Sequence, residues 1–300
     1  SVGDEVLALT LFNGYAELAV ADARAVAKKP AGMGFADAAS IPVNFLTAYH
    51  ALFETGTLRT GSNVLIHAGA GGVGLAAIQL ARNAGCTVYA TAGSEKKLAL
   101  LSDFGVEHPI NYQTHDFERE VLRLAGGAKI DVVLDSVGGS YFKKDLNLLR
   151  SHGRVVAYGA AAFSERNFLK LPSLLPQVIS MLTLSMIDLM MHSKGFYGVN
   201  MLRVAQENPD LLQYELQKIM EQRGLALQFH GYFDAIHQAK ERNPRAWTDA
   251  LAQSILTEEV FAHIAEQKNG KKLRDRFMAL VGMVRDWLRR HGFASLADLG

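Results

Sequence analysis

Residues 63–161 predict a doubly wound α/β fold with a parallel sheet, and three observations carry the prediction. Short apolar runs of strand type alternate with helical stretches through about 100 residues. The first run, "NVLIHA", breaks into glycines as "GAGGVG" before the next helix. Helix punctuation then recurs at the right places, with Ser94 as an N-cap and Gly85 and Gly105 as C-caps. Crossover helices between parallel strands produce this order.

The elements follow in sequence. "NVLIHA" is a strand of buried type and "LAAIQLARNAG" a helix. "CTVYATAG" is a second strand and "SEKKLALLSDFG" a helix. "HPINY" is a third strand, followed by the helix "DFEREVLRLAGG". "IDVVLDSVGG" and "RVVAYGAA" are the fourth and fifth strands, separated by the helix "YFKKDLNLLRSHG". Before this block, residues 5–27 alternate as β structure, with Asn13-Gly14 between two apolar runs as a hairpin signal. Residues 35–55 place Phe35, Ala38, Ala39, Phe45, Leu46, Tyr49 and Phe53 at helical spacing, with Pro42 interrupting. After Gly224 strand signals fade. Asn243-Pro244 opens one helix, Thr257 with Glu258 and Glu259 a second, and the stripe Leu273, Phe277, Leu280, Val284, Leu288 a third. Residues 224–300 therefore read as mostly helical.

Composition excludes several function classes. The chain has 300 residues and a formal net charge of +1, so no global field favours nucleic acid or a membrane surface. Its single cysteine, Cys86, excludes an internal disulfide framework and a four-cysteine zinc site. One free thiol fits a reducing, cytoplasmic setting. Cys86 opens a strand and reads as a buried apolar residue; His67, inside a strand, reads as structural. The segment 174–191 is the most apolar, but Pro176, Gln177, Asp188 and several hydroxyls interrupt it. A membrane span needs about 20 mostly apolar residues. It reads as a buried or pocket-lining helix. Basic residues crowd 268–290, and a solvated face over an apolar docking stripe accounts for them better than a nucleic-acid patch. No G-x-S-x-G hydrolase elbow occurs.

The glycines carry the chemistry. Gly69-x-Gly71-x-x-Gly74 fits the G-x-G-x-x-G dinucleotide fingerprint in its required strand–loop–helix–strand context, and Gly72 adds a further bare position. The expected roles are a tight turn at Gly69, close approach of backbone to pyrophosphate at Gly71, and helix packing at Gly74. Phosphates would then sit on unpaired N–H groups at the helix N-terminus. The tip of the second strand selects the nicotinamide cofactor. An acid there would bind a ribose 2′-hydroxyl, but the chain has Ala92-Gly93-Ser94, then Lys96 and Lys97. A hydroxyl and ammonium groups suit a 2′-phosphate, which favours NADPH over NADH. A plain N-cap beside a solvated lysine pair is the competing reading, and Glu95 counts against the phosphate.

With these residues in place, "GDEVLAL", "GYAELAV", "ASIPVNFLTAYHALFETGTLRTGSNVLIHAGAGGVGLAAIQLAR", "INY", "DVVLDSVGG" and "GRVVAYG" resemble the medium-chain dehydrogenase/reductase superfamily. The resemblance is to its zinc-free quinone oxidoreductase and enoyl reductase group, and "IDLMMHSKGFYGVNM" is similar to the branch named after a synaptic vesicle membrane protein. It runs from about residue 2 to 223.

The resemblance implies a Rossmann domain with a partial barrel-like catalytic domain and a helical C-terminal segment. The implied boundaries are 1–47 for the catalytic remnant, 48–223 for the dinucleotide-binding domain and 224–300 for the helical segment. The implied cofactor contacts are Gly69, Gly71, Gly72, Val73 and Gly74 in the loop. Ser94, Lys97 and Tyr112 would meet the 2′-phosphate, and Ser136, Val137 and Gly159 the adenosine, ribose or nicotinamide side. Thr47 would lie by the nicotinamide with Asn44 one turn earlier. Asn44, Thr47 and Tyr49 are the candidate catalytic polar groups, and Tyr49, like His50, reads equally as a packed helix residue.

The implied reaction is hydride transfer from NADPH to a quinone or α,β-unsaturated carbonyl without a metal. Residues 194–199 would form the edge strand of a homodimer. Family members carry a longer N-terminal stretch that completes the barrel, and a closing strand that returns to it. Here the chain starts at Ser1 and leads after Asn243 into helices, so a catalytically impaired NADPH-binding module acting through its tail is the alternative.

Overall fold

Strand β3 (Asn63–Ile66) stands at the centre of a six-stranded, wholly parallel sheet. The computed structural model describes residues 1–10, 14, 16–159 and 186–222. From β3 the chain crosses through α2 (Gly72–Asn83) to β4 (Thr87–Ala92), then through α3 (Glu95–Asp103) to β5 (His108–Asn111) at one edge. Helix α4 (Phe117–Leu124) carries it back to β6 (Ile130–Asp135) on the other side of β3. Helix α5 (Tyr141–Leu148) leads to β7 (Leu149–Ala157). Helix α6 (Met186–His192) precedes β8 (Gly195–Gly198), the opposite edge. The order is β5-β4-β3-β6-β7-β8, the doubly wound arrangement whose direction of winding reverses between β3 and β6.

Strand composition follows from burial on both faces. Val64, Ile66, Val88, Ala90, Val132, Leu134 and Val156 belong to one apolar layer with Phe45, Leu46, Leu75 and Ile78. The alternate residues Leu65, Tyr89, Val133 and Val155 belong to the other, with Phe117, Phe142 and Leu148. Caps fall where the sequence places them. Ser94 Oγ accepts from the Lys97 backbone N–H, and Gly85 and Gly105 close α2 and α3 with φ of +75° and +74°. Cys86 is buried, with Sγ on the Arg59 carbonyl, and burial pushes its thiol up.

Helix α1 (Phe35–Tyr49) packs across α2 and runs through Pro42 without a break, continuing as a π-type turn over His50–Thr55. Pro42 is buried with Phe45 and Leu46, so packing outweighs the hydrogen bond that proline removes. The expected interruption at Pro42 is therefore absent, and the expected boundary at 47/48 falls inside this helix. Helices α7 (Met201–Glu207) and α8 (Pro209–Glu221) follow β8, and α8 packs on α1.

The hairpin expected around Asn13-Gly14 is not formed as predicted. β1 (Val6–Ala8) pairs antiparallel with β2 (Val26–Lys28) instead of with residues 16–20. Leu18 and Val20 are 91% and 95% exposed; among the described residues nothing covers the apolar face that the alternation supplies, so no strand is held there. Asn13 itself lies outside the described residues.

The apolar segment 174–191 lies outside them up to residue 185. Its described end is helical, as expected. It is not buried, however: Ile187, Met190 and Met191 are exposed. The helices expected in 224–300 lie outside the described residues.

Candidate functional site

The carboxyl ends of β3 and β6 border the crevice where the winding reverses, and the glycine loop lies on that border. The loop turns at Ala68, not at Gly69: Ala68 takes φ +50°, whereas none of Gly69, Gly71, Gly72 and Gly74 has a positive φ. The Ala68 carbonyl accepts the Gly71 N–H at 2.9 Å, and the Gly69 N–H donates to the Thr91 carbonyl at 2.9 Å. The glycines instead supply room. A Cβ on Gly69 would lie 2.9 Å from Ala90 Cβ, so this position lets the loop lie on β4. A Cβ on Gly74 would lie 2.6 Å from the carbonyl oxygens of both Ala68 and Gly69, so α2 packs backbone to backbone on the loop. The expected packing role of Gly74 is observed; the turn role expected of Gly69 is not.

Helix α2 opens at Gly71, whose missing side chain leaves no cap on the first-turn N–H groups of Gly72, Val73 and Gly74. With the helix dipole they form an anion-binding end. Asn44 closes one side of this end. A Cβ on Gly72 would fall 2.6 Å from Asn44 Oδ1, while Asn44 Nδ2 donates to the Ser40 carbonyl at 3.0 Å. Thr47 lies one turn on, buried, its hydroxyl donating to the Val43 carbonyl at 2.7 Å and keeping lone pairs to accept.

Tyr49 does not join them. Two residues beyond Thr47, it points to the opposite side of α1. There it packs on Phe53 with ring centroids 4.8 Å apart, and burial first, then Tyr214, pushes its phenol up to about 12. Of the two readings open for Tyr49, the packed helix residue is the one that this geometry fits. The neighbouring His50 is likewise turned toward α8, where Nδ1 meets Glu215 Oε1 at 2.6 Å and burial pushes the carboxyl up.

At the ends of β4 and β5 the structure brings Tyr112 over Gly93, the residue before Ser94. Tyr112 N–H donates to the Ala92 carbonyl, and the phenol lies so close over Gly93 that a Cβ there would fall 2.5 Å from its oxygen. Ser94 and Lys97 are exposed in the first turn of α3 and at its cap. Glu95 is held by Asn111 Nδ2 at 2.9 Å. Across the crevice, Asp135 Oδ1 accepts the N–H groups of Val137 and Gly138 at 2.7 and 2.9 Å, fixing the loop after β6. Gly159 lies against Ser136: a Cβ would fall 3.0 Å from its carbonyl oxygen. The expected contacts Ser136, Val137 and Gly159 thus share one rim, opposite the glycine loop.

Sequence reasoning reads His67, beneath the loop, as structural and misses its partners Thr91 and Asp145. His67 is fully buried; its Nδ1 lies 3.1 Å from Thr91 Oγ1 and its Nε2 2.9 Å from Asp145 Oδ1. Phe117 and Tyr141 flank its ring edge to face. Burial alone would lower the imidazole pKa, but Asp145, and then Asp135, raise it overall. Burial pushes the Asp145 carboxyl up. Among the described residues no group of three or more His, Cys, Asp or Glu side chains is arranged to hold a metal ion, and no helix is long and apolar enough to cross a membrane.

Comparison with known proteins places this site in context. A family model described as zinc-binding dehydrogenase matches residues 72–212. The chain is 40% identical over 191 residues to the synaptic vesicle membrane protein VAT-1 homolog of Danio rerio, covering 62% of this chain and 39% of that protein. It thus spans less than half of that relative's length. A quinone oxidoreductase of Thermus thermophilus, solved also with NADPH, superposes with a TM-score of 0.59 at 29% identity over 74% of this chain and 65% of that one. The nucleotide-binding subdomain of the enoylreductase domain of PpsC from Mycobacterium tuberculosis superposes with a TM-score of 0.50 at 32% identity, covering 60% of this chain and 94% of that one.

Proposed function

Because the chain belongs to the medium-chain dehydrogenase/reductase superfamily, in its quinone oxidoreductase and enoyl reductase group, we propose that it is an NADPH-dependent oxidoreductase of quinones or α,β-unsaturated carbonyls. One observation carries the reading. The uncapped end of α2, bare at Gly72 where a Cβ would strike Asn44, faces a rim of Ser136, Val137 and Gly159 across the reversal of winding. A dinucleotide fits this cradle, and a side chain on Gly72 would fill it.

When bound, NADPH supplies the hydride. The chain's own groups do the rest. The N–H groups of Gly72, Val73 and Gly74 and the α2 dipole bind the pyrophosphate. Ser94, Lys97 and Tyr112 take the 2′-phosphate, and Glu95, held by Asn111, stands beside them. Asn44 and Thr47 flank the nicotinamide and orient it. With one cysteine, buried on Arg59, the chain has no Cys/His/Cys ligand set to offer zinc, and the reaction proposed is metal-independent. We place the protein in the cytoplasm as a homodimer joined through the edge strand β8.

A second reading has its own observation. Val43 is 58% exposed and Gly159 is exposed, on the side where the nicotinamide would lie. An open site binds the cofactor but turns over slowly, because water exclusion and substrate positioning are lost. Fluorescence titration with NADPH, followed by its oxidation with a simple quinone and a simple enone, separates the two. Turnover supports the reductase; saturable binding without turnover supports a cofactor-binding module that works through a partner.

A further inference from the structure

We infer that Thr91, His67 and Asp145 form a buried relay that positions the glycine loop for phosphate binding, which makes them positioning residues remote from the reacting atoms; this rests on the reading of the loop as a dinucleotide site. Ala68 makes the turn into the loop. Its φ of +50° is a conformation that costs a non-glycine residue about 1–2 kcal/mol, and it persists only where surrounding groups hold it.

Thr91 holds it at two points. Thr91 Oγ1 accepts the Ala68 N–H at 3.3 Å, and the Thr91 carbonyl accepts the Gly69 N–H at 2.9 Å. With its N–H held, Ala68 directs its own carbonyl to the Gly71 N–H, the residue that opens α2. The orientation of the phosphate-binding N–H groups therefore depends on this hydroxyl together with the Thr91 backbone carbonyl.

That hydroxyl is fixed in turn. His67 Nδ1 meets Thr91 Oγ1 at 3.1 Å, receiving its proton when the ring is neutral and donating to it when the ring is charged. In either state Nε2–H donates to Asp145 Oδ1 at 2.9 Å. Thr91, His67 and Asp145 are no more than 1% exposed, so water does not compete for these bonds. Asp145 Oδ2 is buried with no hydrogen-bond partner among the described residues, a cost that a purely structural core would avoid with an apolar side chain. The network joins β3, β4 and α5 beneath the loop; the loop's own sequence holds none of it beyond His67.

The test uses the full chain and three probes: NADPH, NADH and ADP-ribose. Thr91→Val keeps the shape and the strand preference but removes the oxygen. It is expected to raise Kd for all three probes by about tenfold, the equivalent of about 1.4 kcal/mol. Thr91→Ser is expected to bind within twofold of wild type, a rescue that lost packing would not give. Asp145→Asn removes the negative charge opposite Nε2–H and leaves a weaker, neutral acceptor, and it is expected to raise Kd severalfold. The double variant is expected to bind no worse than Thr91→Val alone, because both act through one relay.

Wild-type-like binding by a folded Thr91→Val chain, failure of Thr91→Ser to rescue, or additive losses in the double variant would each overturn the relay. If Thr91→Val does not fold, unchanged binding by Asp145→Asn overturns it. No binding of any probe by the wild-type chain overturns the loop assignment itself, and the relay with it.

Discussion

Adding one methyl group at either of two glycines in the same turn should have opposite consequences, and the geometry says which. In Gly74→Ala the new Cβ would lie 2.6 Å from the carbonyl oxygens of Ala68 and Gly69 and 2.8 Å from the Gly69 carbonyl carbon. These are backbone atoms, held by the Gly71 and Gly69 hydrogen bonds, so α2 must move off the loop by several tenths of an ångström. Overpacking of this kind costs about 1–3 kcal/mol, against a gain of up to about 1 kcal/mol from alanine in a helix. A clash with fixed backbone atoms at 2.6 Å belongs in the upper half of that range, so the net is a loss of about 1–2 kcal/mol, or a fall in Tm of about 2–8 °C for a unit of this size.

In Gly72→Ala the nearest atoms are Asn44 Oδ1, Cγ and Nδ2 at 2.6–2.9 Å, the end of a side chain that can turn away. Stability should change by less than about 0.5 kcal/mol. The methyl group and the displaced amide fill the cradle, however, and NADPH binding should weaken at least tenfold. Thermal melts and a fluorescence titration on the same two proteins read both effects. A Gly74→Ala chain as stable as wild type would refute the docking of α2 on the loop. A Gly72→Ala chain that binds NADPH normally would refute the cradle.

Three further predictions follow from other parts of the molecule. Lys97→Ala should weaken NADPH at least tenfold, in line with about 1.5–3 kcal/mol for a hydrogen bond to a charged group, and leave NADH within twofold; equal loss for both cofactors sinks the 2′-phosphate assignment. His50→Ala should lower stability by about 3 kcal/mol in urea melts, because it strands the buried Glu215 carboxyl, whereas Glu215→Gln should cost far less; equal losses contradict the pairing. His67 has a pKa raised above its ordinary 6.5 by Asp145, so folding takes up a proton there. The stability it contributes is complete below about pH 6.5 and is lost as pH rises through the raised value. The Tm should fall as pH rises above that point, and Asp145→Asn should flatten the slope.

The wound sheet is legible in the sequence because each βα unit carries its own local signals. Two-faced burial makes Val64–Ile66, Val88–Ala90, Val132–Leu134 and Val155–Val156 unbroken apolar runs, and Ser94, Gly85 and Gly105 cap helices where they stand. The glycine loop is legible as a spacing, but not in its mechanics. The fingerprint does not say that Ala68 makes the turn and that Gly69 yields room to Ala90.

What the sequence hides depends on partners distant along the chain. Thr91 lies 24 residues and Asp145 78 residues from His67, so no local pattern joins them, although buried polar groups among apolar strands and helices are a signal that something must pair them. Tyr49 belongs to the motif but not to the site. Helical geometry separates it from Thr47, and α8, which supplies its Tyr214 neighbour, belongs to a part of the chain that periodicity cannot dock on α1. The strand expected at 16–20 does not form because alternation supplies an apolar face but not the surface to bury it.

The central claim, that the crevice between β3 and β6 holds NADPH for hydride transfer, is tested most directly by titrating the full chain with NADPH and then adding a simple quinone or enone. The account predicts saturable binding, tighter than that of NADH, with oxidation of the bound cofactor on addition of acceptor. Absence of binding by either nicotinamide cofactor would contradict it and leave the glycine loop a turn without a ligand.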